Sequence, residues 1–195
     1  MPNEIELLHQ FILIEEVCVQ ANLAILAHDR LLEFISDKSN HQRREVWGHI
    51  QSFLSHAAMI SKYVGTDQGC RARAEFLKTA LAVEDNSPLL DKSVRNNVEH
   101  LDERFDLWMK APHGRFLECV FSSRKELEYL NPPGDEARRW FIRRVYLIHE
   151  EIFVSQGRKG VEEINLARTR QEIHRIKLVA ERRMSSLHEV QRIFP

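Results

Sequence analysis

Apolar residues recur at steps of three and four along the N-terminal half of the chain, a spacing that predicts amphipathic helices. The first predicted helix covers about residues 4–34, and the polar segment 37–40 ends it. The second covers about 42–63 and stops at Gly65, and a third, shorter helix covers about 71–83. This part of the chain is therefore predicted to be a helical bundle.

Ser87 and Pro88 mark the start of a fourth helix. Serine is favoured at the N-cap, and proline suits the first helical position because its missing N–H costs nothing there. The helix is predicted to run over 88–109, and a Pro-His-Gly sequence at 112–114 ends it. Its apolar stripe consists of Val94, Val98, Leu101, Phe105 and Trp108.

Beyond Gly114 the residue types change to aromatic and β-branched side chains, which favour strands. Segments 116–121 and 140–148 are of this kind. We predict a small β-hairpin in the 115–156 region, while the apolar spacing of residues 139–155 also fits a helix.

From Val161 to Phe194, apolar residues near heptad spacing predict a long C-terminal helix. The length of 195 residues fits a single domain with a proper core. The predicted fold is a mainly α-helical bundle over 1–195, with a bundle core at 1–112, an irregular or β insertion at 113–160 and the C-terminal helix at 161–195. Basic residues of that helix predict a solvated face or, as the sharper alternative, a partner-helix or nucleic-acid surface.

The composition, 43% hydrophobic and 29% charged, excludes a disordered chain and predicts a cytoplasmic protein. Three scattered cysteines indicate reduced, buried thiols, and no apolar run approaches the roughly 18 residues that span a bilayer. The net charge is −1, but residues 138–195 carry thirteen basic and seven acidic side chains. Nucleic-acid binding usually needs a basic surface, and only this C-terminal third could supply one.

The sequence Arg95-Asn96-Asn97-Val98-Glu99-His100 lies within the predicted helix 88–109. An arginine with a histidine five residues later occurs four times in the chain, so that spacing alone has little meaning. Only Arg95 is followed by asparagine, which makes this copy the informative one.

This region resembles HEPN-type domains within a bacterial family of unassigned function. The segments that carry the resemblance are Trp47-Gly48-His49-Ile50-Gln51-Ser52-Phe53-Leu54, Ser87-Pro88-Leu89 and Arg95-Asn96-Asn97-Val98-Glu99-His100-Leu101-Asp102-Glu103-Arg104-Phe105-Asp106-Leu107-Trp108. The resemblance implies a homodimeric helical bundle that cleaves or binds RNA without a metal or other cofactor. It further implies that Arg95 and His100 are the catalytic pair and that Asn96 orients them.

The implied chemistry is consistent with these residue types. A histidine can carry a proton near neutral pH, and a guanidinium matches the geometry of a phosphate. Nearby carboxylates at Glu99 and Asp102 favour another reading, because they repel RNA and can pair with Arg95. A non-catalytic helical scaffold or partner-binding protein is therefore the alternative function.

Ten histidines raise a third, weaker alternative, a metal-binding bundle. A Glu-x-x-His sequence occurs at Glu6 and His9, but a di-iron bundle needs two such pairs and further carboxylates. A three-histidine site assembled from distant helices stays open at this stage. No metal ligands are assigned from the sequence.

Overall fold

The computed structural model describes residues 4–36, 43–65, 71–91, 96, 103, 106, 109–110, 116–134, 140–157 and 160–193. Over these residues the chain is mainly helical and carries a small four-stranded mixed sheet, which confirms the mainly α class. The chain divides into two compact units: a helical unit of Met1–Arg95 with Arg170–Pro195, and a sheet unit of Asn96–Thr169. The predicted single domain over 1–195 stays a prediction.

The helical unit contains α1 (Glu4–Ser36), α2 (Arg43–Val64) and α3 (Arg71–Ala80), together with most of a long C-terminal helix. The three predicted N-terminal helices are thus confirmed to within a few residues at each end. Helices α1 and α2 form the most extensive pair and run antiparallel. Contacts in reverse order along the two helices show this direction: Gln20 with His56, His28 with Phe53, and Phe34 with His49.

The predicted start of the fourth helix is wrong in its detail. Pro88–Leu90 form one short 3₁₀ turn, after which Asp91 is extended with φ −70° and ψ 120°. Ser87 makes no side-chain cap; its hydroxyl donates instead to Glu172 at 2.8 Å, and Leu89 is fully buried. Tertiary contacts have therefore replaced the local capping rule. Farther on, the described positions 96, 103, 106 and 109 are helical, as predicted.

The sheet unit contains β1 (Phe116–Phe121), α4 (Arg124–Leu130), β2 (Phe141–Leu147), β3 (Ile152–Gly157) and β4 (Gly160–Asn165). The strands lie side by side in chain order, β1 parallel to β2 and the other pairs antiparallel. Leu127 of α4 packs on one face of the sheet, and this small core consists of Leu117, Phe121, Leu127, Ile142, Val145, Leu147 and Val154.

The predicted β-hairpin is confirmed as the pair β2–β3. Val145 pairs with Val154, and Leu147 pairs with Ile152, so β-branched and aliphatic side chains share the face that α4 covers. This cross-strand burial decides between strand and helix for a segment whose apolar spacing fits both. The short helix α4 was not predicted.

The prediction that the C-terminal helix starts near Val161 is wrong, because residues 160–165 form β4. Gly160 has a φ of +134°, which suits glycine and lets the chain turn back tightly from β3. The helix, α5, covers Leu166–Ile193. Asn165 provides its N-cap, since the backbone N–H of Arg168 donates to the Asn165 side-chain oxygen at 2.7 Å.

Candidate functional site

The predicted catalytic residues fall mostly outside the part of the chain that the structure describes. Arg95 and His100 are not among the described residues. Asn96 is described; it is helical and its side chain is partly buried. The proposed pairing of Arg95 with His100, and the orienting role of Asn96, therefore stay predictions.

The most distinctive feature of the described surface lies on α1. Six of its large apolar side chains are roughly half exposed; Leu32 (40%) lies on another side of the helix, and the other five are Leu8 (48%), Ile12 (50%), Val19 (44%), Leu23 (39%) and Leu26 (53%). These five form a row. At about 100° per residue they fall within about 60° of one another, and they extend over about 27 Å of helix. We call these five residues the outward stripe.

The opposite face of α1 forms the core of the helical unit. Ile14, Val17, Ala21, Ala24 and Leu31 are fully buried there. Helix α1 is thus apolar on two opposite faces, a pattern typical of helices that are covered all round. The inward face is covered by the unit itself, whereas the outward stripe is left exposed.

The apolar length of α1 corrects the expectation that no apolar run is long enough to span a bilayer. Helix α1 is long and apolar enough to cross a membrane by length and composition alone. The charged residues Glu15 and Glu16 and the polar residues Asn22 and His28 interrupt the run. Over the most apolar part of α1, 39% of the residues are buried in the fold, and core helices of soluble proteins can be equally long and apolar.

A groove of about 400 Å³ runs beside the outward stripe, between α1 and the C-terminal part of α5. Val19 belongs to both, so the stripe and the groove form one continuous surface. The residues that line the groove are Phe11, Glu15, Cys18, Val19, Asn22, Glu181, Met184 and Ser185.

The thiol in this groove is suited to packing rather than to reaction. Burial raises the pKa of Cys18, and the carboxylate of Glu181 raises it further, while Lys177 partly opposes them. The side-chain amide of Asn22 donates a hydrogen bond to the sulfur at 3.9 Å. A protonated thiol is a poor nucleophile, which agrees with a packing role for Cys18.

The charge along α1 is mostly negative. Helix α1 carries six carboxylates and one basic residue, Arg30, which pairs with Glu33 at 3.2 Å. On the helix, Glu15 and Glu16 flank the middle of the outward stripe, one on each side. Glu16 accepts a hydrogen bond from Gln20 at 2.8 Å, and Glu15 makes no ion pair with a described residue. The stripe is therefore an apolar surface with an acidic border.

Half of the basic side chains considered on α5 form ion pairs within the fold. Arg170 lies 2.8 Å from Asp29, and Arg175 lies 2.8 Å from Glu172. Lys177 approaches Glu181 at 3.6 Å. The residues considered as a basic surface were Arg168, Arg170, Arg175, Lys177, Arg182 and Arg183. Three of these six already pair with carboxylates, which favours a structural role over phosphate binding.

Three described arginines of the sheet unit are also held in ion pairs. Glu118 lies 3.1 Å from Arg143 and 3.0 Å from Arg144, because an irregularity in the β1–β2 register brings both consecutive arginines to one carboxylate. Arg124 makes two 2.8 Å hydrogen bonds to the carboxylate of Glu163. These contacts tie strands and helix together within the unit.

Two histidines of the helical unit have structural contacts. His56 lies 2.7 Å from the side-chain oxygen of Gln20, and burial lowers the pKa of this histidine. The ring of His49 packs against Phe34 with centroids 6.1 Å apart. Over the described ranges, no group of three His, Cys, Asp or Glu side chains is placed to hold a metal ion.

Sequence reasoning did not single out the outward stripe, although its signal is present. Leu8, Ile12 and Val19 recur at the same helical steps as the buried set, on the opposite side of α1. Comparison of the chain with protein-family models, curated proteins and solved structures finds no significant match.

Proposed function

We propose that this chain is a helical partner-binding protein and that the outward stripe of α1, with the adjoining groove, is its contact surface. The single observation that carries the proposal is the row of five half-exposed apolar side chains on a helix whose other face forms the core. Contiguous apolar surface of this kind marks interaction sites on soluble proteins.

The free energy that a partner can gain by covering the outward stripe indicates reversible binding. Full burial of a Leu, Ile or Val side chain is worth about 1.5–3 kcal/mol, so covering each half-exposed one contributes roughly 1 kcal/mol. The stripe then supplies about 5 kcal/mol, whereas a micromolar complex needs about 8 kcal/mol. Contacts with groove residues such as Phe11 and Met184 must supply the remaining binding free energy.

Photo-crosslinking in the cells that make the protein tests this function. We expect benzoylphenylalanine at Val19 or at Leu23 to give a discrete covalent adduct, because both side chains would lie inside the contact. Tyr129 of α4 is the matched control, since it is 87% exposed and outside the stripe. Absence of adducts at Val19 and Leu23, or the same adducts at Tyr129, would contradict the proposal.

A second proposal rests on the HEPN resemblance: a homodimeric HEPN-like bundle that cleaves or binds RNA without metal through Arg95, Asn96 and His100. The helical state of the described positions 96, 103, 106 and 109 supports it, because the motif has to lie on a helix. In this proposal His100 is the general acid–base group that transfers a proton during cleavage, and Arg95 stabilises the negative charge on the reacting phosphate.

An RNA-cleavage assay in the presence of a chelator tests this second proposal. We expect purified protein to cut RNA, and we expect His100→Ala to abolish cutting while the far-ultraviolet circular dichroism is retained. Arg44 and His49 have the same spacing as Arg95 and His100, so His49→Ala serves as the matched control. Equal cutting by the His100→Ala variant would refute the assignment.

A further inference from the structure

The chemistry of the outward stripe restricts the kind of partner that can cover it. From the acidic border and the straight apolar row we infer that the occupant is an amphipathic α-helix with basic residues beside its apolar face. This inference rests on the proposed partner-binding function and adds the class of partner.

The shape of the surface indicates a helical occupant. Ile12, Val19 and Leu26 are seven residues apart, and Leu8 and Leu23 complete the row at helical spacing. A row of this kind accepts the apolar stripe of another helix at a small crossing angle. The groove between α1 and α5 adjoins the row through Val19 and gives the bulkier side chains of that helix a place to enter.

The charge of the surface indicates that the occupant is basic. Glu15 and Glu16 flank the stripe, and the single basic residue of α1, Arg30, already has an acidic partner in the same helix. Glu181 contributes less, because Lys177 lies 3.6 Å from it. Flanking charges select the partner and its orientation in paired helices, so lysines or arginines at the matching positions are favoured.

The same charges weigh against the other occupants. A second copy of α1 would bring its own carboxylates to the stripe in either orientation, and its single basic residue, Arg30, is already paired with Glu33 of the same helix. Nucleic acid and anionic lipid surfaces both require basic residues on the protein. A basic helix satisfies both the apolar row and its acidic border.

Binding of two designed peptides to the full-length protein tests this inference. Each labelled peptide has about 20 residues, long enough to cover the stripe, with leucines at helical spacing. The basic probe carries lysines on its remaining faces, and the acidic probe carries glutamates there. By fluorescence anisotropy at moderate salt, we expect the basic probe to bind at least about 10-fold more tightly, which corresponds to about 1.4 kcal/mol.

Variants of the protein separate the apolar and ionic contributions to the binding of the probe peptides. Leu23→Asp should weaken binding of the basic probe at least about 10-fold, whereas the control Tyr129→Asp should leave it unchanged. The double variant Glu15→Lys and Glu16→Lys should reverse the preference toward the acidic probe. Circular dichroism confirms that each variant folds.

Three results would overturn the inference. The first is equal binding of both probes or binding of neither. The second is a homodimer in sedimentation velocity that Leu23→Asp dissociates, because a second copy would then occupy the stripe. The third is binding of the protein to phosphatidylcholine–phosphatidylglycerol vesicles, if Leu23→Asp abolishes that binding. If adducts at Val19 persist in any of these cases, the partner-binding function stands and only the partner class is wrong.

Discussion

Val17 and Val19 lie two residues apart on α1 but on opposite faces, so matched alanine substitutions separate the core from the outward stripe. Val17 is fully buried, whereas Val19 is 44% exposed. Truncation of a buried valine removes two methyl groups and leaves a cavity. One buried methyl or methylene group costs about 0.5–1.5 kcal/mol, so Val17→Ala should lower the free energy of unfolding by about 2 kcal/mol.

For Val19→Ala we expect a change of no more than about 0.5 kcal/mol in either direction. The half-exposed side chain leaves no closed cavity, and alanine has the higher helix propensity, which offsets part of the lost packing. The melting temperature should therefore fall by about 4–8 °C for Val17→Ala and stay nearly constant for Val19→Ala.

Urea denaturation followed by circular dichroism measures both changes, and the slope with denaturant shows whether the two variants unfold by the same transition. A loss of about 2 kcal/mol for Val19→Ala, equal to that for Val17→Ala, would refute the reasoning. Such a result would mean that the outward stripe is already covered in the isolated protein.

Two further predictions concern single buried groups. Hydrogen bonds from Arg175 and Ser87 hold the pKa of Glu172 below its ordinary value of 4.5, so this stabilisation is complete above that value and is lost as the pH falls through the lowered pKa. Urea midpoints measured from neutral to acidic pH should therefore fall more steeply for the wild type than for Glu172→Gln; parallel curves would contradict this. Burial raises the pKa of Tyr146, and its hydroxyl has no hydrogen-bond partner among the described residues, so Tyr146→Phe should keep or raise the stability by up to about 1 kcal/mol. A loss larger than about 1 kcal/mol on denaturation would reveal a partner for the hydroxyl.

The helices α1, α2 and α3 could be predicted because their apolar spacing repeats over many residues. The β2–β3 hairpin followed from its aromatic and β-branched residues. Strand β4 could not be predicted in the same way, because Val161 and Ile164 also fit the helical spacing that follows. Asn165, which caps α5, was the local signal for the true start of that helix.

The 3₁₀ turn after Ser87 shows a different limit. Local rules favoured a helix N-terminus there, yet the hydroxyl of Ser87 bonds to Glu172, which is 85 residues away along the chain. A contact between distant residues cannot be read from local spacing. The helical state of position 96, by contrast, follows from the periodicity of its own segment.

The candidate site could be predicted only in part. The Arg95 and His100 motif was visible in the sequence, and its chemistry awaits the cleavage assay. The outward stripe was not identified, because periodicity locates apolar faces without showing which of them the fold covers. For α1, where two opposite faces are apolar, only the packed structure distinguishes Val17 from Val19.

The most direct test of the central claim is a methyl nuclear magnetic resonance titration with the basic probe peptide. We predict that the methyl signals of Ile12, Val19 and Leu23 shift as the peptide is added, while those of the buried Ile60 stay in place. Shifts confined to methyl groups of the sheet unit, such as Ile164, would show that the outward stripe of α1 is not the contact surface.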